Sequence, residues 1–168
     1  AVTTGLNAPP GAAAGQVVFS AEDAEKWVKE GKRVVLVRHE TSPEDIGGMH
    51  AAEGILTSTG GMTSHAAVVA RGMGKPCVAG CKDVLISGKK ATIDKLIVKE
   101  GDWITIDGGS GEVFPEEKIL VKPKLTGTLS TFLSWADDFR KKAKRNSVKG
   151  TGFGIRTNAD TPVDVKTA

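Results

Sequence analysis

The stretch of residues 60–74 constrains the fold of this chain more than any other. A short apolar run before it, residues 54–58, predicts a buried strand. Gly60 and Gly61 follow the strand and predict a sharp turn, because glycine adopts positive φ angles at little cost. Small and β-branched apolar residues then continue as far as a glycine at position 72 or 74, which predicts a short helix. The sequence therefore specifies a strand, a tight turn and a helix in immediate succession.

The predicted helix places a histidine in its first turn. Thr63 or Ser64 can cap the helix, which then begins near His65. The first backbone N–H groups of a helix lack partners within it and the helix dipole is positive there, so this position stabilises an anion. A neutral imidazole has a free ring nitrogen that can attack phosphorus and form a phosphohistidine. Gly61, Thr63 and Ser64 would then hold the phosphoryl oxygens. The residues alone leave a purely structural role for His65 open.

Length and composition favour one domain of ordinary size with a modest core. The chain has 168 residues, of which 21 are glycine, and its aromatic residues are five phenylalanines and three tryptophans. Its core must therefore consist mainly of aliphatic side chains. The formal net charge of +3 is too small to indicate nucleic-acid binding, and no apolar run approaches the length of a membrane span. Without a signal-peptide pattern, we expect a cytoplasmic protein, with a plastid or a glycosome left open.

The two cysteines of the chain, Cys77 and Cys81, are predicted to be small buried apolar residues. Two thiols without a secretory signal fit a reducing compartment better than a disulfide framework. Their spacing is not that of a zinc site, and no partner ligands accompany them. We therefore expect no metal ligands in this chain.

The remaining histidines and one arginine are predicted to have structural roles. Residues 38–40 follow a predicted strand, at a position where sites often lie, but neither His39 nor His50 has a motif around it. Both are expected at the surface or in packing. Arg71 lies about 240° around the helix from His65 at 3.6 residues per turn. We therefore expect it to form an ion pair and not to contact the phosphoryl group.

The rest of the chain alternates between predicted strands and helices. A capping pattern at Ser20 starts a helix that Gly31 closes, and Pro43 opens a short helix with Ile46 and Met49 on its apolar side. We expect a loop at residues 1–10, a strand ending at residue 19, and strands at residues 34–37, 77–79, 91–93, 96–98, 103–107 and 112–114, with a glycine-rich hairpin turn before the last of them.

The sequence changes in character after Pro115. Residues 122–124 are typical of a linker, and the apolar spacing of residues 128–144 predicts a helix with a basic end. A solvated helix C-terminus explains the basic run better than nucleic-acid binding does, since cations complement the dipole there. Residues 154–162 predict a strand followed by a capped helix.

Residues 60–81 resemble the phosphohistidine signature of the pyruvate, phosphate dikinase family, a branch of the enzymes that use phosphoenolpyruvate (PEP). Related signatures in PEP synthase and in enzyme I of the sugar phosphotransferase system usually carry arginine where this chain has Met62. Residues 9–19 resemble the N-terminal segment of the family's swivelling domain. Residues 154–162 resemble the first strand of its PEP-binding barrel, although the preceding stretch, residues 144–153, is longer than the family leads us to expect.

The resemblance implies an α/β fold: a three-layer β/β/α swivelling phosphohistidine domain with a C-terminal linker helix. It assigns residues 1–121 to the swivelling domain and residues 122–153 to the linker helix and a basic linker. Residues 154–168 become the start of a truncated PEP/pyruvate-binding barrel. The segments at residues 8–11 and 122–126 are the expected hinges.

The resemblance also implies a phosphotransferase, of which this chain is an incomplete part. In that family, ATP, phosphate and pyruvate become AMP, diphosphate and PEP. His65 matches the family's phosphorylated histidine, with Nε2 as the phosphorylated atom. Thr63 matches the threonine that is phosphorylated to inactivate the plant enzymes. A cap or a phosphoryl-oxygen contact is the alternative role for Thr63.

The implied partners are other parts of the same polypeptide. An N-terminal ATP-grasp domain would phosphorylate His65, and a C-terminal PEP/pyruvate-binding barrel would receive the phosphoryl group. Mg²⁺ would serve both half-reactions without being bound by this domain, and the full-length enzyme is expected to be a homodimer. No nucleic acid or membrane is expected as a partner.

Two alternative functions stay open. The first is a PEP synthase, which differs from a dikinase in whether phosphate or water accepts the γ-phosphoryl group. The second is a non-catalytic interaction module in which His65 only caps a helix. Phosphorylation of His65 by the full-length enzyme's substrates distinguishes the second alternative from the others.

Overall fold

The computed structural model describes residues 1–8, 11–121, 127–128 and 130–135. The chain divides into two units, Ala1–Val121 and Lys122–Ala168. In the second unit, residues 128 and 130–135 are helical. The rest of the predicted 128–144 helix, the predicted start of the barrel and the predicted hinge residues 9–10 and 122–126 lie outside the described residues. The predicted roles of the three domain segments stay predictions.

The first unit alternates strands and helices along the chain. Its elements are, in order, β1 (Thr3–Thr4), β2 (Leu6–Asn7), β3 (Ala12–Val18), α1 (Ala21–Lys29), β4 (Val34–Arg38), a 3₁₀ helix (Pro43–Asp45), α2 (Ile46–Ala51), β5 (Gly54–Thr57), α3 (His65–Met73), β6 (Cys77–Ala79), β7 (Val84–Ser87), β8 (Lys90–Ile93), β9 (Leu96–Lys99), β10 (Trp103–Asp107) and β11 (Glu112–Phe114).

These strands form two sheets. The larger sheet has the order β1-β11-β10-β3-β4-β5-β6-β2, and the smaller one has the order β7-β8-β9. Strands β3, β4, β5 and β6 run parallel to their neighbours within that group, whereas β10 pairs with β3 in the antiparallel sense. The larger sheet is thus mixed, with a parallel centre connected by helices.

The central strands are apolar on both faces because each face is covered. On one face, Val17, Val35 and Val37 join a core cluster with side chains of the smaller sheet, such as Ile93. On the other face, Val18, Val34, Leu36 and Ile55 pack against the helices. Side chains alternate between the faces of a strand, so one continuous apolar run supplies both cores. The predicted three-layer β/β/α architecture is confirmed.

Helix packing explains which residues of the helices are buried. Ala24 of α1, Met49 of α2, and Ala66 and Ala70 of α3 all lie in the core cluster on the helical face of the large sheet. Small side chains at positions 66 and 70 of α3, one turn apart, let this helix lie close to the sheet. No helix in the described part of the chain is long and apolar enough to span a bilayer.

The structure corrects three expectations. The predicted loop at residues 1–10 contains β1 and β2, each of two residues, which pair with β11 and β6. Strands this short have no periodicity that could reveal them. The sequence interpretation also left β7 unassigned. Ile46, expected on the apolar side of its helix, has 43% of its side chain exposed, whereas Met49 is fully buried as expected.

Candidate functional site

The candidate site lies where the parallel strands β4 and β5 end. Arg38 and Thr57 are paired across these neighbouring strands. The loops that follow are held together by backbone hydrogen bonds from Ser58 N to Arg38 O (3.1 Å) and from Thr59 N to His39 O (2.9 Å). The carboxyl edge of a parallel sheet is where α/β proteins commonly place their sites. It brings the loop of residues 39–45 beside the loop of residues 58–64.

The turn between β5 and α3 depends on glycine at one position. Gly60 has a φ of +102°, and a Cβ atom added there would lie 2.9 Å from the Cβ of Ser64. Gly61 has open space around its Cα and no positive φ. The turn therefore requires glycine at position 60 but not at position 61.

Ser64 is the N-cap of α3. Its backbone is extended, and its Oγ accepts a hydrogen bond from Ala67 N at 3.4 Å. Of the two predicted caps, Thr63 or Ser64, the structure selects Ser64. Thr63 is exposed, and its hydroxyl has no hydrogen-bond partner among the described residues. The helix ends as expected at glycine, because Gly74 adopts the left-handed conformation with φ +65°.

His65 is the first residue of α3 and is partly exposed. Its Nδ1 lies 3.2 Å from Oγ1 of Thr41, which is only 7% exposed and belongs to the loop after β4. Within the described part of the chain, Nε2 of His65 and the backbone N–H groups of His65 and Ala66 have no hydrogen-bond partner. The arrangement offers one free imidazole nitrogen beside unpaired helix N–H groups, which is suited to a nucleophile that acquires a negative group.

Sequence reasoning did not single out Thr41. The sequence feature that could have identified Thr41 is its position shortly after the apolar strand β4. It directly follows residues 38–40, which lie at a strand end where sites often occur. Nothing local to Thr41 identifies its partner, which lies 24 positions further along the chain.

The other two histidines lie apart from this arrangement. His39 is exposed, and its Nδ1 lies 2.7 Å from Ser58 Oγ. His50 is exposed in the last turn of α2. Arg71 is exposed as well, and no ion pair involving it occurs among the described residues, so the ion pair expected for it is not observed. The side chain is solvated instead.

Both cysteines are fully buried, as predicted. Burial raises the pKa of Cys77 to about 12, and the nearby Cys81 contributes to the increase. Burial likewise raises the pKa of Cys81 to about 11, with a further contribution from the charge of Asp83. Both thiols are therefore protonated near neutral pH and act as apolar core residues, since the thiolate is the nucleophilic form.

No group of three or more histidine, cysteine, aspartate or glutamate side chains that could hold a metal ion occurs in the described ranges. The donor set around His65 consists of hydroxyls and backbone N–H groups, which suit an anion and not a cation. We therefore assign no step on this chain to a metal ion bound by it.

Comparison with known proteins finds a family of PEP-utilising enzymes and several pyruvate, phosphate dikinases that are similar to this chain. Residues 30–111 match the family model described as "PEP-utilising enzyme, mobile domain". "Pyruvate, phosphate dikinase, chloroplastic" from Flaveria pringlei is 54% identical over 99% of this chain and 16% of its own length. "Pyruvate, phosphate dikinase 1, chloroplastic" from Oryza sativa subsp. japonica is 53% identical over 99% of this chain and 17% of its own length. The protein of the same name from Arabidopsis thaliana is 53% identical over 97% of this chain and 16% of its own length.

The chain thus spans only 16% or 17% of the length of these relatives. A solution structure of an enzyme I protein aligns with 64% of this chain and 38% of its own, at 26% identity and a TM-score of 0.36. That score is too low to add to the comparison.

Proposed function

Because the chain belongs to the mobile-domain family of PEP-utilising enzymes, we propose that it is the phosphoryl-carrier domain of a pyruvate, phosphate dikinase. The full-length enzyme converts ATP, phosphate and pyruvate into AMP, diphosphate and PEP. His65 carries the phosphoryl group between the nucleotide site and the pyruvate site. The observation that supports this role most directly is the contact of His65 Nδ1 with Thr41 Oγ1 at 3.2 Å, which leaves Nε2 available.

Thr41 determines which ring nitrogen of His65 reacts. When the hydroxyl oxygen of Thr41 accepts a hydrogen bond from Nδ1–H, the lone pair of the neutral imidazole is on Nε2. That lone pair forms a bond to the β-phosphorus of ATP, AMP leaves, and phosphate takes the γ-phosphoryl group as diphosphate. In the second half-reaction the Nε2–P bond breaks as the enolate oxygen of pyruvate takes the phosphoryl group.

The first turn of α3 stabilises the transferred group. The N–H groups of His65 and Ala66 have no partner among the described residues and are donors for its oxygens, and the helix dipole adds to the attraction. The Oγ of Ser64 accepts from Ala67 N, so its own proton remains available for donation. Gly61 and Thr63 complete the set of candidate contacts.

The remaining components belong to parts of the enzyme outside this chain. An N-terminal ATP-grasp domain binds the nucleotide, and a C-terminal barrel binds pyruvate and PEP. Mg²⁺ held at those sites neutralises phosphate charge and aligns the reacting groups. The full-length enzyme is proposed to be a homodimer. The chloroplastic relatives support the plastid among the compartments that the sequence leaves open.

Radiolabel transfer tests this function. The full-length protein is incubated with ATP labelled at the β-phosphate, with phosphate and Mg²⁺ present, and the labelled residue is mapped. We expect label on His65 that is labile in acid and stable in alkali, as for a phosphoramidate. His65→Asn should abolish labelling and both partial exchange reactions, whereas His50→Asn, which changes an exposed histidine away from the site, should retain them.

Different results point to the alternatives. Release of the γ-phosphoryl group of ATP as inorganic phosphate, and not as diphosphate, would favour a PEP synthase. Absence of label, or acid-stable label on another residue, would favour a non-catalytic module. The dikinase names of the relatives reported above support the proposed function over both alternatives.

A further inference from the structure

We propose that Arg38 and Asp45 are positioning residues for the phosphoryl carrier, because their ion pair holds the loop that carries Thr41 against His65. This inference rests on the proposed function, since it assigns a role in phosphorylating His65. Neither residue forms a hydrogen bond or an ion pair with His65 in the described part of the chain, so both act through Thr41.

Asp45 connects two parts of the loop. It is only 5% exposed, and its Oδ2 accepts hydrogen bonds from Ser42 N (2.9 Å) and Ser42 Oγ (3.3 Å). Its Oδ1 lies 3.4 Å from Nη2 of Arg38. Both carboxylate oxygens are therefore occupied, one with the residue that directly follows Thr41 and the other with the end of β4.

Arg38 connects the loop to the larger sheet. It is the last residue of β4, and its Nη1 donates to Phe19 O, just beyond β3, at 3.1 Å. Its two terminal nitrogens thus join the large sheet to Asp45. The resulting contacts run from Phe19 through Arg38 and Asp45 to Ser42, whose neighbour Thr41 contacts His65.

Stability alone does not explain why residue 38 is an arginine. Its Nε is buried and has no hydrogen-bond partner among the described residues. A buried unpaired donor costs free energy, and a lysine would not carry this N–H group. A lysine, however, has a single ammonium and cannot reproduce a guanidinium that contacts two partners through separate nitrogens. The two contacts of the guanidinium therefore fix the loop, which determines where Thr41 lies.

Arg33 provides a matched control at the opposite end of the same strand. It precedes β4, its Nη2 donates to Ala14 O at 2.9 Å, and the same nitrogen lies 3.4 Å from Glu117 Oε1. Arg33 thus contacts a strand carbonyl and a carboxylate, as Arg38 does, but its ion pair is far along the strand from the loop of Thr41.

The test compares the rate of His65 phosphorylation in single turnovers of the full-length enzyme. We expect Arg38→Lys and Asp45→Asn to lower this rate about tenfold or more while the KM for ATP changes less than about twofold, because positioning and not binding is impaired. Arg33→Lys should stay within about twofold of the wild type. In Arg38→Lys/Thr41→Val, the loss should match that of Thr41→Val alone, because both changes remove one positioning effect.

A second measurement does not require phosphorylation. With ¹⁵N-labelled histidine, the imidazole signals of His65, assigned by their loss in His65→Asn, report the fraction of the Nδ1–H tautomer. This fraction should fall in Arg38→Lys and Asp45→Asn and stay unchanged in Arg33→Lys. Equal rates and equal tautomer fractions in Arg38→Lys and Arg33→Lys, or multiplying effects of Arg38→Lys and Thr41→Val, would overturn the inference. A wild-type enzyme that does not label His65 overturns the proposed function instead.

Discussion

At the scale of single residues, the two ring nitrogens of His65 have different surroundings, and this difference bears on which of them can act as a nucleophile. Nδ1 contacts a nearly buried threonine hydroxyl, whereas Nε2 has no partner in the described part of the chain. A histidine with both nitrogens free would distribute its proton between them. When the hydroxyl of Thr41 accepts from Nδ1–H, the contact leaves Nε2 as the nucleophilic atom, without the help of a carboxylate.

Thr63, two residues before His65, is predicted to be a position where added charge inactivates the enzyme. It is exposed and its hydroxyl is unpaired within the described residues, so it is accessible for phosphorylation. A phosphate would add about −1.5 to −2 charge beside the nucleophile at pH 7 and repel the incoming phosphate of ATP. We expect Thr63→Glu to inactivate the full-length enzyme, whereas Thr63→Val and the uncharged matched variant Thr63→Gln retain much of the activity. Phosphorylation of His65 at the normal rate in Thr63→Glu would show that charge here is no switch.

The buried thiols should make the free energy of unfolding fall at alkaline pH. The pKa of Cys77 is raised from 9.0 to about 12 and that of Cys81 from 9.0 to about 11. Above pH 9 the thiols of the unfolded chain ionise while those of the folded chain stay protonated. The contribution of the thiols to the free energy of unfolding is therefore complete below about pH 9. Between about pH 9 and the pKa values of the folded chain it decreases, by at most about 1.4 kcal/mol per pH unit for each thiol.

Urea unfolding of the chain at about pH 8 and about pH 10 tests this dependence. We expect the decrease in the free energy of unfolding to be smaller in Cys77→Ala/Cys81→Ala than in the wild type. Lysines titrate equally in both proteins, so the difference in slope isolates the thiols. An identical slope in the two proteins contradicts the prediction, whatever the absolute loss of stability from the cavities.

At the scale of elements, α3 combines a polar first turn with a closely packed body. Ser64 caps the helix, and Ala66 and Ala70 lie in the core against the sheet. The small side chains bring the helix close to β5 and β6, which fixes the position of its N-terminus relative to the strand ends. The helix therefore supports His65 through its packing as well as through its cap.

The turn before α3 should tolerate alanine at one glycine and not at the other. Gly60 has a φ of +102° and an added Cβ would crowd Ser64, whereas Gly61 has neither constraint. We expect Gly60→Ala to lower the free energy of unfolding by about 1–3 kcal/mol and Gly61→Ala by less than about 1 kcal/mol. Urea unfolding of the two variants measures both values. Similar losses at the two positions would show that the turn relaxes more easily than its geometry indicates.

At the scale of the whole molecule, the three layers belong to the first unit, Ala1–Val121, and they place His65 just beyond the end of the parallel strand β5. The two core clusters on opposite faces of the larger sheet join the smaller sheet and the helices to it. If the chain is the phosphoryl carrier proposed above, we expect it to travel without internal rearrangement, since packed elements support His65. One nucleophile that serves two separate sites requires such travel.

Locking the domain in one position should separate the two half-reactions. In the full-length enzyme, a cysteine introduced at Met62, which is 44% exposed and close to His65 in sequence, is crosslinked to a cysteine on one neighbouring domain. We expect the half-reaction of the other neighbour to stop and to recover when the crosslink is reduced. Cys77 and Cys81 do not interfere, because both are fully buried. If both half-reactions persist in the locked enzyme, travel of the domain is unnecessary.

The resemblance to a known family implied the layered architecture, and the sequence by itself determined the strand, turn and helix around His65 and the buried thiols. These features depend on local patterns: glycines at the turn, a capping hydroxyl, and apolar runs long enough to cover both faces of a strand. The edge strands β1 and β2 were not predicted. Each has two residues and forms only by pairing with a strand that is distant in the chain, β11 for β1 and β6 for β2.

Only the tertiary structure decided which residues surround His65. Thr41 meets His65 because β4 and β5 are parallel neighbours, and their following loops therefore lie side by side. Arg38 and Asp45 join the same arrangement through contacts with the sheet and the loop. No local periodicity encodes a contact between side chains on separate elements. Such a contact is set by strand order and register, which result from the burial of the whole sheet.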